Sequence, residues 1–167
     1  IKEKVETDLE IIDYLAKKSQ KHSKRFQEMH IHDFTKEFSN WTRDEMNFKK
    51  EAINAQTFRK NMEDQENIIV PKTYSEHNTE KVIVLEYIDG VKCTNTEKLD
   101  EWNIDRKEIA ETAVKAGIKQ SMQDGFFHAD PHPSNFLMTK NGEIAYLDFG
   151  MMGQIDQETS ETLGIML

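Results

Sequence analysis

The sequence contains one cysteine, Cys93, among 167 residues. A lone cysteine excludes an internal disulfide and a cysteine-based metal site, and it is typical of a reducing cytoplasm. No apolar run approaches the roughly 18 residues of a membrane-spanning helix, and no signal peptide pattern is present. We therefore expect a cytoplasmic protein.

The chain also lacks a block of lysine and arginine, and its formal net charge is −9. Nucleic acid is therefore a poor candidate for a partner. The sequence is only 37% hydrophobic but 32% charged, which favours long solvated helices or a piece whose apolar faces pack on something outside it. Because there is no initiating Met and the end is apolar, at residues 165–167, we interpret the chain as a fragment of a longer protein.

Short apolar runs between Gly125 and Gly153 predict a β-hairpin. We expect strands at Phe136 to Met138 and at Ile144 to Leu147, joined by Asn141-Gly142, a strong two-residue hairpin signal. Such a hairpin brings residues 135 and 148 close together at its open end.

Three polar side chains stand at the edges of these predicted strands: Asp130, Asn135 and Asp148. Asn135 and Asp148 offer hard oxygen ligands to a divalent cation on a polyphosphate and leave room for phosphate oxygens. Asp130, on the loop before them, can orient an attacking hydroxyl or water or accept its proton. The pattern indicates phosphoryl transfer.

The order Asp130, Asn135, Asp-Phe-Gly resembles that of the protein-kinase-like phosphotransferases, with His128-Ala129-Asp130 in place of their His-Arg-Asp. The longer motif, HADPHPSNF followed by LDFG, resembles that of the UbiB (AarF) family of atypical kinases. The resemblance implies an α+β, protein-kinase-like fold and the use of ATP and Mg. It also implies a link to isoprenoid-quinone (ubiquinone) biosynthesis or lipid homeostasis. A lipid or quinone precursor therefore stays open as a partner, and a membrane surface stays open as a location.

Two further segments resemble parts of the family's small lobe. EMNFKKEAINAQTF resembles the αC-like helix, and Glu51 matches the position that pairs with the nucleotide-holding lysine. Glu45 matches the first acid of the family's Glu-x-Asp element, whereas Asn47 replaces the second acid. KVIVLEYIDG resembles the fifth strand and hinge, which implies that an adenine edge meets backbone groups of Glu86, Tyr87 and Ile88.

Parts needed for nucleotide binding are absent from the sequence: a Gly- or Ala-rich phosphate loop and a third-strand lysine. Lys2 and Lys4 lie too far into a helical pattern to replace that lysine. We expect a truncated, helix-rich small lobe at residues 1–90 and the start of a large lobe at 91–167. On its own, such a chain is expected to bind ATP-Mg weakly and to turn it over poorly or not at all.

Apolar periodicity predicts helices from Lys2 to about Phe26 and from Asp33, a plausible N-cap, to about Met62. The second helix carries a stripe that we expect to be core, with Phe58 close by it: Phe34, Phe38, Trp41, Phe48, Ala52 and Ala55. A basic patch ends the first helix, where it suits either the helix C-terminus or a phospholipid surface: Lys17, Lys18, Lys21, Lys24 and Arg25.

The rest of the chain alternates β-rich and helical patterns. We expect strands at Ile68 to Tyr74, with Pro71 as an irregularity, and at Lys81 to Ile88. Asp105 is predicted to cap a helix that runs to about Asp124 and stops at Gly125. Asp156 or Thr159 is a candidate cap for a last helix.

Three other functions stay open. The catalytic loop is also similar to that of aminoglycoside and choline kinases. His128-x-Asp130-x-His132 could be the metal site of a hydrolase, although Pro131 and Pro133 oppose a regular strand there. The chain could also be a non-catalytic, pseudokinase-like module.

His132 is either a loop-shaping residue or a contact to substrate, and His30-Ile31-His32 favours a linker over a metal pair because no third ligand is nearby.

Overall fold

The computed structural model describes residues 2–22, 25, 28–156 and 159. The chain divides into two compact units, residues 1–47 and 48–167. The boundary predicted at residue 90 separates the small lobe from the large lobe of a kinase-like domain. It is a different division from that into compact units, and it stays a prediction. Within the described ranges, no helix has the length and apolar character needed to span a membrane.

The first unit contains α1 (Lys2–His22) and α2 (Ile31–Glu45), which pack against each other. The buried side chains of this pair are mostly small: Leu9, Ala16, Thr35 and Ser39. An exposed ion pair between Arg43 and Glu6, at 3.0 Å, joins the two helices. Helix α1 begins as predicted, whereas its predicted end at Phe26 lies outside the described residues.

The single helix predicted from Asp33 to Met62 is wrong, because α2 ends at Glu45 and α3 (Phe48–Asn61) begins anew. The break has a tertiary cause, since the Phe48 amide donates to the carbonyl of Glu80, at 3.4 Å, instead of continuing the helical ladder. The cap prediction is also wrong. His30, with φ 48°, is the N-cap, and the carboxylate of Asp33 pairs with the His30 ring at 3.3 Å.

The predicted aromatic stripe is core only in its C-terminal part. Ala52, Ala55 and Phe58 of α3 are buried. The aromatic side chains of α2 are exposed: Phe34 by 61%, Phe38 by 43% and Trp41 by 52%. They stay outside because Thr35 and Ser39 take the buried positions of α2.

The described residues of the second unit add two helices, α4 (Thr96–Glu101) and α5 (Arg106–Ile118), and six short strands: β1 (Ile68–Ile69), β2 (Val91–Lys92), β3 (Phe126–His128), β4 (Phe136–Met138), β5 (Ile144–Tyr146) and β6 (Met152–Gln154). Four strands form a sheet in the order β1-β5-β4-β2, in which only β1 and β5 are parallel. Strands β3 and β6 pair separately. The core contains Phe58, whose ring centroid lies 4.9 Å from that of Tyr146 and 5.7 Å from that of Phe149.

The strands predicted around residues 68–74 and 81–88 are much shorter than expected. Regular pairing covers β1, and beyond it a single bridge joins Thr73 to Leu85. The segments still run side by side, because the Glu86 amide donates to the carbonyl of Lys72 at 2.8 Å. Pro71 lacks an amide donor, which suits an edge or irregular position in this segment.

The predicted hairpin is confirmed, with a different turn. Met138 pairs with Ile144, and strand β5 ends one residue earlier than expected. The loop has three residues, 140–142, because the Thr139 amide donates to the carbonyl of Glu143 and the Gly142 amide donates to that of Thr139, each at 3.0 Å. Gly142 supplies the positive φ, 83°, that closes this kind of loop.

Helix α5 is capped as predicted, since Asp105 Oδ1 accepts from the Lys107 amide at 2.7 Å. Its α-helical part ends at Ile118, and the chain continues as a wide π-helical turn, Lys119–Gln123, which brings the helical segment close to its predicted end at Asp124. Gly125 stops it with φ 59°. For the last predicted helix, Asp156 accepts from the Thr159 amide at 2.8 Å, and most of that helix lies outside the described residues.

Candidate active site

The loop from His128 to Asn135 connects β3 to the hairpin and is held by its own polar groups. The His132 amide donates to the carbonyl of Asp130 at 2.7 Å, and the Asn135 amide donates to the carbonyl of His132 at 2.9 Å. The ring of His132 contacts Ser134, with Nδ1 2.7 Å from the hydroxyl. Of the two roles open for His132, these contacts favour loop shaping.

The side chain of Asn135 is fixed by Asp130. Its Nδ2 donates to the backbone carbonyl of Asp130 at 3.1 Å and to Oδ2 of Asp130 at 3.0 Å. An amide held by its nitrogen in this way directs its oxygen elsewhere. Asn135 is buried, and its Oδ1 accepts from the neighbouring Ser134 hydroxyl at 3.2 Å.

The hairpin register brings Asp148 to the same place. The Leu147 amide donates to the carbonyl of Asn135 at 3.0 Å, so Asp148 follows directly after the residue opposite Asn135. The Asp148 side chain is exposed, and its Oδ1 accepts from the Gly150 amide at 2.9 Å. The structure therefore brings Asp130, Asn135 and Asp148 together at the open end of one hairpin, as their spacing indicated.

His128 connects the loop to the Asp-Phe-Gly segment. Its Nε2 lies 2.7 Å from the carbonyl oxygen of Asp148, and its Nδ1 accepts from the Asp130 amide at 3.2 Å. Burial lowers the pKa of His128, although the carbonyl and carboxylate of Asp148 and the carboxylate of Asp130 oppose that shift. A neutral ring with its proton on Nε2 satisfies both contacts.

Glu51, on α3, also reaches this segment. Its Oε1 accepts from the Phe149 amide at 3.4 Å, and the side chain is buried. On the same helix, Asn54 Nδ2 donates to the carbonyl of Phe149 at 2.8 Å. The αC-like helix predicted from the sequence is thus in contact with Asp-Phe-Gly.

The three hinge candidates lie in another part of the second unit. Glu86 faces Lys72, whose amide donates to its Oε2 at 3.0 Å, and Tyr87 is 86% exposed. Ile88 is half-buried. Their suggested contact with adenine stays a prediction.

Sequence reasoning missed two residues that hold the site. Gln120, in the π-helical turn, accepts from the His128 amide and donates to the Tyr146 hydroxyl, each at 3.0 Å. No local pattern marks it. Asn54 did have a signal, because it stands three residues after Glu51 and therefore on the same helix face.

The donor set suits magnesium better than zinc. Among the described residues, no group of three His, Cys, Asp or Glu side chains could hold a metal ion. Both ring nitrogens of His128 already have backbone partners, so the hydrolase site of His128, Asp130 and His132 does not form. Asn135 Oδ1 and the Asp148 carboxylate are hard oxygen donors, which fit a magnesium ion that takes its remaining ligands from phosphate and water.

Comparison with known proteins identifies the family. The chain matches the model described as ABC1 atypical kinase-like domain over residues 1–167. An uncharacterized protein of Synechocystis sp. is 39% identical over 120 residues, 72% of this chain and 21% of that protein. The Arabidopsis thaliana protein Activity of BC1 Complex Kinase 8, chloroplastic, is 39% identical over 121 residues, 71% of this chain and 16% of that protein.

A relative from Arabidopsis thaliana called an aarF domain-containing protein kinase, chloroplastic, is 41% identical over 114 residues, 68% of this chain and 15% of that protein. The chain thus spans about a fifth or less of the length of these relatives. The structure of Rv3197 from Mycobacterium tuberculosis, in complex with erythromycin, matches with a TM-score of 0.53 and 25% identity, covering 74% of this chain and 30% of that one. The protein therefore belongs to the ABC1 atypical kinase-like family, which confirms both the UbiB (AarF) resemblance and the kinase-like α+β fold.

Proposed function

We propose that the intact protein is an ATP- and Mg-dependent atypical kinase or ATPase. The observation that carries this proposal is the double hydrogen bond from Asn135 Nδ2 to Asp130, which directs the amide oxygen away from the loop carboxylate. That orientation leaves one lone pair of Oδ1 for a metal ion, since the Ser134 hydroxyl donates to the other. Magnesium would neutralise the charge that develops on the phosphates.

Each of the three side chains then has a separate task. Asn135 and Asp148 hold the metal, and Asp130 orients the attacking hydroxyl or water or accepts its proton. Asp130 is itself held through its amide by His128 and through Oδ2 by Asn135. Since phosphoryl transfer needs little covalent help from the protein, this fixed geometry supplies most of the catalysis.

Nucleotide binding uses two further regions in this proposal. Glu51 pairs with the nucleotide-holding lysine of the intact domain, and its buried position beside Phe149 suits that pairing. The adenine edge meets backbone groups of Tyr87 and Ile88. The amide of Glu86 already donates to Lys72, so Glu86 contributes through its carbonyl.

The cellular role we propose, in isoprenoid-quinone biosynthesis or lipid homeostasis, rests on the family resemblance alone. It places the protein in the cytoplasm with access to a membrane surface and makes a lipid or quinone precursor the candidate acceptor. Quinone content in cells with and without the Asp148→Asn allele tests the first of these roles, and equal content would exclude a role in quinone biosynthesis.

The decisive experiment is magnesium-dependent ATP binding by calorimetry with the protein at its full natural length. We expect ATP binding that strengthens with magnesium, and a loss of that strengthening in Asp148→Asn. Asp156→Asn is a matched control, because Asp156 is also an exposed carboxylate but lies beyond β6. It accepts from the Thr159 amide. Magnesium-dependent binding that survives in Asp148→Asn would overturn the site, and no binding by the wild type would overturn the function.

A further inference from the structure

The backbone of Phe149 is held on both sides by one helix. Its amide donates to Glu51 and its carbonyl accepts from Asn54, which lie three residues apart on α3 and so share a face. The Asn54 contact, at 2.8 Å, is much the shorter of the two. Helix α3 thus fixes the peptide groups on either side of the Phe149 α-carbon.

The ring of Phe149 is fixed as well. It is fully buried, and it packs against Phe58 on the same helix with ring centroids 5.7 Å apart. The ring alone leaves the backbone free to rotate about it, however, because apolar contacts have no direction. The hydrogen bonds to α3 help to define which way the chain enters and leaves Phe149, and the one from Asn54 acts on the leaving side.

This matters for Asp148 because its own side chain is weakly restrained. The carboxylate is exposed and accepts from Gly150, two residues further along. Its direction therefore follows from the backbone on both sides. His128 fixes the Asp148 carbonyl, and Asn54 fixes the next carbonyl, that of Phe149.

We propose that Asn54 is a positioning residue: by holding the Phe149 carbonyl, it sets the direction of the Asp148 carboxylate for the metal. This inference rests on the proposed function and adds to it a residue that touches neither metal nor nucleotide. It also predicts that α3 transmits its own position to the metal site through Asn54 as well as through Glu51.

Asn54→Asp tests the proposal with almost no change of shape. The carboxylate cannot donate, and it repels the Phe149 carbonyl oxygen. Thr57→Val is the matched control, since Thr57 is exposed one turn away on α3, and its hydroxyl donates to the carbonyl of Ile53 within the same helix.

The first measurement is amide hydrogen exchange of residues 148–151 without nucleotide or metal. We expect Asn54→Asp to exchange about tenfold faster there, because a buried carbonyl loses its donor, while Thr57→Val matches the wild type. Unchanged exchange in Asn54→Asp would overturn the inference whether or not the protein is a kinase.

The second measurement is ATP binding at increasing magnesium concentration. We expect the magnesium concentration at half-effect to rise about tenfold in Asn54→Asp, with metal-free ATP affinity unchanged. A purely structural role would weaken both alike, and that result would overturn the inference. A wild type without any magnesium effect would instead overturn the proposed function, and the exchange measurement would then decide the role of Asn54 alone.

Discussion

The ring of His128 lies 2.7 Å from the backbone carbonyl of Asp148. Its other nitrogen accepts from the amide of Asp130, so one buried side chain sets the separation of two candidate catalytic segments. His128 acts here as a spacer between backbone groups. This explains why a histidine suits the position although nothing assigns it a proton-transfer step.

Protonation of His128 is expected to destabilise the fold. Its pKa in the folded chain is lowered by burial from the ordinary value of 6.5, so the unfolded chain binds the proton more readily. Stability is then fully present above pH 6.5 and falls as the pH decreases from there to the lower, folded pKa. Urea unfolding at pH 7.5 and pH 5.5, about one unit either side of the ordinary value, measures this loss.

We expect the loss to be smaller in His128→Asn than in the wild type. His132→Asn is the control, since His132 is exposed. Equal losses in the wild type and His128→Asn would contradict the shift assigned to His128.

Gln120 is expected to contribute strongly to stability because it is buried and satisfies groups on two strands. Gln120→Leu leaves the His128 amide and the Tyr146 hydroxyl without this partner, at a cost of about 2–4 kcal/mol in the free energy of unfolding. Tyr146→Phe should cost about 1 kcal/mol. Urea unfolding of both variants and of the double variant measures the coupling.

In the double variant, only the His128 amide is left unsatisfied, so its cost should be less than the sum of the single costs. Gln123→Leu in the same turn is exposed and provides the control. Strict additivity would show that the Gln120 to Tyr146 hydrogen bond contributes nothing.

Three glycines are expected to respond differently to alanine. At Gly125, φ is 59° and a Cβ would lie 2.7 Å from the carbonyl oxygen of Ile155, so Gly125→Ala should cost about 2 kcal/mol or more. Gly142 has φ 83° but open space, so strain alone, about 1 kcal/mol, is expected. Gly117 lies within α5 with nothing within 4 Å, so alanine should stabilise by about 0.5–1 kcal/mol.

Thermal unfolding of the three variants checks the expected order of melting temperatures. Gly117→Ala should melt above the wild type, Gly142→Ala below it, and Gly125→Ala lowest. A Gly125→Ala variant as stable as Gly142→Ala would show that the contact with Ile155 relaxes without cost.

Phe34 belonged to the predicted core stripe and Phe58 was expected close by it, but mutation should separate the two. Phe58 is fully buried against Tyr146 and Phe149, so Phe58→Ala should cost about 3–5 kcal/mol. Phe34 is 61% exposed, and Phe34→Ala should change stability by less than about 0.5 kcal/mol. Chemical unfolding of each variant measures the change in the free energy of unfolding. Changes of similar size would contradict the difference in burial between Phe58 and Phe34.

The hairpin that carries the candidate site was predictable because its determinants are local. Asp130, Asn135 and Asp148 stand at the ends of strands that are adjacent in the sequence, and a turn residue, Gly142, joins those strands. The length of the second helix was not predictable, since its break depends on Phe48 meeting Glu80, 32 positions away in this numbering. Apolar periodicity continues through that break and gives no sign of it.

Burial was predicted less well than secondary structure for a similar reason. Periodicity identified a face of α2, but the identity of the face that packs depends on α1. Gln120 escaped notice because its value comes from partners eight and 26 residues away. A polar side chain in a helix reveals nothing about such partners until the fold is known.

The three-residue pairing of β4 with β5 has a thermodynamic consequence. A hairpin this short is marginal by itself, and Asn135 and Asp148 stand at its one open end. Local opening of the hairpin would remove both oxygen donors in a single event. An ion bound by both would therefore stabilise the closed hairpin by its binding free energy. We therefore expect metal binding and closure of the hairpin to be coupled.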